Sequence, residues 1–236
     1  MGCSAFNKME LEAFTGHKPI PLNITNEVMK SVCKIIITSK EGNYIETGTG
    51  YFLKYSNSQK YLITNYHVIN PDLEKEKIEI EIYSKKIMRL NFINRFNKYI
   101  ERPKDISIIE IKESDEIFKD IKFLDYDLNY QNGYALYKNA DVFTIQHPKG
   151  EDASCASGKI INIYNEDEFN HNISTDHGSS GCPIILLNNN INLLRVIGVH
   201  KEGQISKKIN GGTFLGEILN KVLIKKKIRK IILLLK

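Results

Sequence analysis

Residues 77–83, Lys-Ile-Glu-Ile-Glu-Ile-Tyr, alternate strictly between polar and apolar side chains. A period of two puts every isoleucine on one face, the pattern of a strand with one side in a core and the other in water. Short apolar segments recur along the chain. Residues 28–39 and 44–54 read as strands joined by a Glu41-Gly42-Asn43 turn. Tyr61–Thr64, Ile106–Ile111, Asp141–Gln146, Lys159–Tyr164, Pro183–Leu187 and Leu193–His200 read as further strands, with Asn188-Asn189-Asn190 as a hairpin tip. Many short strands with turn residues between them predict an all-β chain built of barrels rather than a βαβ sheet. The polar, turn-rich stretch Asp125–Asn132 is the expected linker between two halves. No internal repeat is visible.

Three segments carry reactive side chains. Thr64-Asn65-Tyr66-His67-Val68-Ile69 ends an apolar strand on a histidine, and Lys104-Asp105-Ile106-Ser107-Ile108-Ile109 starts another on an aspartate. Gly178-Ser179-Ser180-Gly181-Cys182-Pro183 sets a serine in a turn of small residues, where backbone N–H groups can face an oxyanion. The order His, Asp, Ser is that of the chymotrypsin arrangement, not of the α/β-hydrolases or subtilisins. Further blocks follow in matching order: Gly48-Thr49-Gly50-Tyr51-Phe52-Leu53, Ile145-Gln146-His147-Pro148-Lys149-Gly150 and Val196-Ile197-Gly198-Val199-His200-Lys201-Glu202-Gly203. Over about residues 30–215 the chain resembles the trypsin-like serine peptidases, nearest in flavour to intracellular and bacterial members that include glutamyl endopeptidases.

The resemblance implies two packed antiparallel Greek-key β-barrels followed by a C-terminal α-helix. The expected divisions are a lead-in over 1–25, a first barrel over 26–127 with His67 and Asp105, a second over 128–213 with Ser180, and a basic helix over 214–236. It also implies a serine endopeptidase with no metal or organic cofactor and a protein or peptide as substrate. Ser180 would be the nucleophile, His67 the base, Asp105 the group that orients the imidazole, and the N–H groups of Gly178 and Ser180 the oxyanion hole. Thr175, His200 and Gly203 would line the pocket for the residue before the cut. The position where trypsins keep an acid at the pocket base is Ser174, so Arg/Lys specificity is not expected. Thr175 and His200 match glutamyl endopeptidases and viral chymotrypsin-like cysteine proteases, which implies Glu or Gln (or Asp) before the cut; nearby Glu202 opposes an acid. Ser179 replaces the acid that pairs with a freed N-terminus in trypsins, and no activation sequence precedes the first strand, so tryptic zymogen activation is not expected. Cys182, beside the nucleophile, suggests redox sensitivity. The alternatives are a catalytically silent protease fold that binds peptides and a membrane-associated interaction protein.

Charge separates the body from the tail. The formal net charge is +5, and residues 221–236 hold seven of the 33 basic residues and no acid. The remainder has 26 bases against 28 acids, or −2, so the body is not a basic nucleic-acid binder. The tail carries an apolar stripe at Ile224, Ile228, Ile231 and Leu235 among its lysines, a pattern suited to an anionic membrane surface. It lacks the interleaved aromatics of a single-strand nucleic-acid binder. Gly2 and Cys3 resemble a myristoylation and palmitoylation pair, although Phe6 stands where Ser or Thr is usual. The four cysteines, Cys3, Cys33, Cys155 and Cys182, match no disulfide framework or metal-site spacing. With no signal-peptide pattern and no apolar run long enough to span a bilayer, the expected location is intracellular, cytoplasmic or peripheral to a membrane. Oligomeric state is not legible.

Overall fold

The computed structural model describes residues 19–56, 59–188, 190–204 and 209–224. A helix, α1 (Leu22–Met29), opens it and buries Ile24 and Val28, one turn apart on the same face. Residues 28 and 29 therefore close a helix instead of starting a strand. Pro21 before the helix supplies the extended entry, and Ile24 and Val28 make helical burial the better use of these residues.

Eight strands form the first sheet: β1 (Val32–Thr38), β2 (Tyr44–Ser56), β3 (Gln59–Thr64), β4 (Lys77–Ile82), β5 (Ile87–Arg89), β6 (Asn97–Ile100), β7 (Ile106–Glu110) and β8 (Leu124–Asp125). Their hydrogen-bonded order is β5-β4-β1-β2-β3-β7-β6, with β8 running parallel to β2. The alternating segment behaves as its pattern requires: Ile78, Ile80 and Ile82 are buried, and Lys77, Glu79 and Glu81 are partly exposed. The buried isoleucines join Ile35, Ile37, Phe52, Leu62 and Ile109 in one apolar core.

The second unit is a closed six-stranded barrel of order β10-β11-β14-β13-β12-β9. Its strands are β9 (Asp141–Gln146), β10 (Ser154–Ile163), β11 (Glu168–His171), β12 (Pro183–Leu186), β13 (Arg195–Gln204) and β14 (Ile209–Phe214). Ring closure by backbone hydrogen bonds is complete here, whereas the first sheet ends at β5 and β6. Phe169 and Phe214 pack inside the barrel with centroids 4.4 Å apart and ring planes tilted by 40°. Room for Phe169 comes from Gly198 and Gly212, where a Cβ would lie 2.7 and 2.4 Å from the ring.

A third apolar cluster joins the two units. Tyr51, Tyr61, Ile63 and Ile108 of the sheet meet Phe143, Ile145, Ile185 and Val199 of the barrel. Ile24 and Val28 of α1 close one side, and Ile218, Leu219 and Leu223 of a second helix, α2 (216–224), close another. The tail positions Ile228, Ile231 and Leu235 lie outside the described residues, as do Gly2 and Cys3. Replacing Phe169 by Ala should leave a cavity between two glycines that cannot fill it. We expect a loss of about 3–5 kcal/mol, read as a lowered urea midpoint with an unchanged slope.

Candidate active site

Glycines fix the serine turn at both ends. Gly178 has φ +85° and Gly181 φ +90°, a region that side chains rarely enter. Neither has room for a Cβ, which would lie 2.6 Å from the His147 carbonyl oxygen at 178 and 2.2 Å from that of Thr49 at 181. Between them the Ser179 N–H donates to the Asp176 carbonyl at 3.0 Å, and the Asp176 N–H donates to Ser179 Oγ at 3.1 Å. Thus a neutral hydroxyl, fully buried, holds the turn where trypsins use an acid. The Gly178 and Ser180 N–H groups donate to no protein acceptor among the described residues. Ser180 Oγ donates to the Lys201 carbonyl at 3.2 Å.

Thr49 fastens this turn to the first sheet. Its N–H donates to the Ser180 carbonyl at 2.9 Å, its hydroxyl donates to the Gly178 carbonyl at 2.8 Å, and the same oxygen accepts the His147 N–H at 3.0 Å. Sequence reading recognised Gly48-Thr49-Gly50 as a strand block but gave Thr49 no role. Its partners are about 100 residues or more away, so no local pattern exposes it.

His67 lies in the turn after β3, where Val68 and Ile69 are buried and anchor it. Asp105 meets it twice: one carboxylate oxygen accepts the His67 backbone N–H at 2.9 Å, and the other lies 2.6 Å from Nδ1. That pairing puts the ring proton on Nδ1 and leaves Nε2 as the acceptor. Asp105 immediately precedes β7 with φ +56°, and its carbonyl accepts Asn65 Nδ2 at 2.8 Å. Burial alone would raise its carboxyl. The hydrogen bonds and charge of His67, with Arg102 nearby, outweigh burial and hold it below the usual carboxylate range. The Ser180 turn packs against the strand end that leads to His67: a Cβ at Gly181 would lie 2.3 Å from Thr64 Oγ1 and 3.2 Å from the Asn65 nitrogen. Among the described residues no hydrogen bond joins Ser180 to His67; such bonds are often long before substrate binds.

A cavity of about 580 Å³ opens beside Ser180 and is lined by Thr175, His200 and Gly203, along with Ser174, Asp176 and Glu202. Glu202 pairs with Arg102 at 2.9 Å, and Asp176 lies 3.7 Å from Lys149. Behind His200 sits His171, which sequence reading missed because it lies on the short polar strand β11. The Ile173 N–H donates to His171 Nδ1 at 3.3 Å, so His171 carries its proton on Nε2. That proton is directed at His200 Nδ1, 3.2 Å away, which leaves the N–H of His200 on Nε2. Burial, and then the neighbouring His67 charge, push His200 down to about 4, against a bond to the Gly211 backbone. Burial and His200 push His171 well below the ordinary range. Cys182 is fully buried, and burial pushes its thiol up to about 12, so it remains protonated. That environment gives no support to redox sensitivity at this site.

The two buried imidazoles predict a pH dependence of stability. Between the ordinary histidine pKa near 6.5 and the depressed folded value, the unfolded chain binds more protons than the folded one. Stability therefore falls as pH falls from about 6.5 towards 4, by up to about 1.4 kcal/mol per pH unit for each imidazole. Urea midpoints measured across that range should drop for the wild type, and the drop should shrink in His171→Phe.

The family model described as a trypsin-like peptidase domain matches residues 48–199, more than half of the chain. No curated protein sequence matches it. Among solved structures, the serine endoprotease from Yersinia pestis is similar with a TM-score of 0.63 and 16% identity, over 90% of this chain and 68% of that one. A protease from M. tuberculosis in its active form is similar with a TM-score of 0.64 and 16% identity, over 94% of this chain and 93% of that one. At that identity the structural likeness speaks for the fold, and the sequence match speaks for the family. The chain belongs to the trypsin-like peptidase family and is a serine-type endopeptidase.

Proposed function

We propose that Ser180, His67 and Asp105 form a triad that cleaves peptide bonds through an acyl-enzyme. The two-point clasp of Asp105 on His67, together with a serine turn whose Gly178 and Ser180 N–H groups meet no acceptor among the described residues, carries this reading. Ser180 Oγ attacks the scissile carbonyl carbon while His67 Nε2 accepts its proton. The carbonyl oxygen becomes an oxyanion that the Gly178 and Ser180 N–H groups receive, each worth about 3–4 kcal/mol in the transition state. His67 then returns the proton to the leaving amine. A water, deprotonated by the same nitrogen, releases the acyl group. Asp105 keeps the imidazole in the required tautomer and stabilises its charged form.

The pocket supports a preference for Gln or Glu before the cut, with Thr175 and His200 as hydrogen-bonding partners. A neutral His200 has one N–H, which the Gly211 backbone shares, and it brings no positive charge at neutral pH. That favours a carboxamide over a carboxylate, because nothing at that nitrogen repays the desolvation of an ion. Asp176 and Glu202 on the cavity wall add to that bias.

Labelling by a fluorophosphonate probe tests the triad. Wild type should react at Ser180, and Ser180→Ala and His67→Ala should not. A folded wild type that stays unlabelled would sink the reading and point to a silent protease fold. For the pocket, His200→Ala should lower kcat/KM on glutaminyl peptides by about 10- to 100-fold while cleavage after small apolar residues changes little.

A further inference from the structure

Lys201 is the residue of the catalytic region whose placement the triad chemistry leaves unexplained. It follows His200 on β13 and is only 8% exposed, whereas lysine is almost never buried without a partner. Its main chain touches the nucleophile, since its carbonyl accepts the Ser180 hydroxyl at 3.2 Å. Its side chain runs the other way. Nζ donates to the Pro103 carbonyl at 2.8 Å and to Glu168 Oε1 on β11 at 2.6 Å. Pro103 lies two residues before Asp105.

The segment before Asp105 is tied to the barrel at each of its residues. Arg102 pairs with Glu202 at 2.9 Å, Pro103 accepts from Lys201, and the Lys104 carbonyl accepts Thr213 Oγ1 at 2.7 Å while its ammonium meets Asp167 at 2.8 Å. The Arg102 pair is largely exposed and so weakly held. The Lys201 tie is partly buried and charge-assisted, which makes it stronger and directional. Asp105 needs such support, because it is a non-glycine residue at φ +56°, a conformation that persists only when its surroundings over-determine it.

We propose that Lys201 is a positioning residue for the triad, holding through the Pro103 carbonyl the backbone that aims Asp105 at His67. The inference rests on the triad reading above. One side chain of the barrel thereby couples the acid's loop to the strand on which the serine hydroxyl rests. Because Lys201 acts on the acid and not on the substrate, its loss should lower kcat and leave KM nearly unchanged.

The test uses the full chain and a chromogenic peptide substrate, with thermal melts to check folding. Lys201→Met keeps the apolar stem and removes the ammonium. It should lower kcat by about 10- to 100-fold, the scale of an ångström-sized misplacement. It should also move the acid limb of the kcat/KM profile to lower pH, because an imidazole further from its carboxylate is harder to protonate. Lys201→Arg, which can still reach a carbonyl and a carboxylate, should recover most of the rate. In an Asp105→Asn background, Lys201→Met should have little further effect. A folded Lys201→Met with unchanged kcat and pH profile, or with a full additive loss on Asp105→Asn, would overturn the proposal. Should Lys201→Met not fold, Glu168→Gln decides, since it keeps an acceptor but removes the counter-charge: a several-fold fall in kcat supports the proposal and an unchanged kcat overturns it. If Asp105→Asn alone retains wild-type activity, the triad reading itself fails, an outcome distinct from failure at Lys201.

Discussion

The site depends on the grip of Thr49 on the Gly178–Gly181 turn. One threonine on β2 contributes its N–H, its hydroxyl hydrogen and its hydroxyl oxygen to bonds with the barrel at 2.8–3.0 Å. Each such bond is worth only about 1 kcal/mol net. Left unmade in a fully buried place, each would cost more than it contributes, and that asymmetry makes the arrangement specific. Because the turn is fastened from outside by Thr49 and closed from within by the Ser179 hydroxyl, the Gly178 and Ser180 N–H groups, which meet no acceptor among the described residues, are held in fixed directions.

The apolar cluster between the two units makes that grip geometrically reliable. Tyr51 lies two residues along β2 from Thr49, and Phe143 and Ile145 lie just before His147 on β9. The same packing that orders the interface therefore brings together the strand that holds the turn and the segment that the turn rests on. Polar bonds at a few points decide register, and apolar burial on either side supplies most of the driving force.

Charge in the centre is kept low. His200 on the pocket wall and His171 behind it are held neutral by burial, and the buried ammonium of Lys201 has a carboxylate beside it. Asp105 stays ionised because His67 and Arg102 outweigh its burial. Fixed dipoles and a single ionised clasp suit a reaction whose charge develops on one carbonyl oxygen and one imidazole.

The sequence by itself determined the strands with clear periodicity and the chemistry of the reactive segments. The isoleucines of β4 announced their own buried face, and the contexts of His67, Asp105 and Ser180 carried the family. Glycines at 178 and 181 were legible as a turn because small residues cluster there. Other elements had no local signal: α1 overlaps a segment that reads as a strand, and β11 and β14 are short, polar or glycine-rich. Only the tertiary structure decided that Thr49 holds the turn, that His171 sets the tautomer of His200, and that Lys201 reaches the loop of Asp105. Each of these is a contact between residues about 30 to 130 positions apart. A side chain's type limits which bonds it can make, but its partner is set by where packing brings distant strands together.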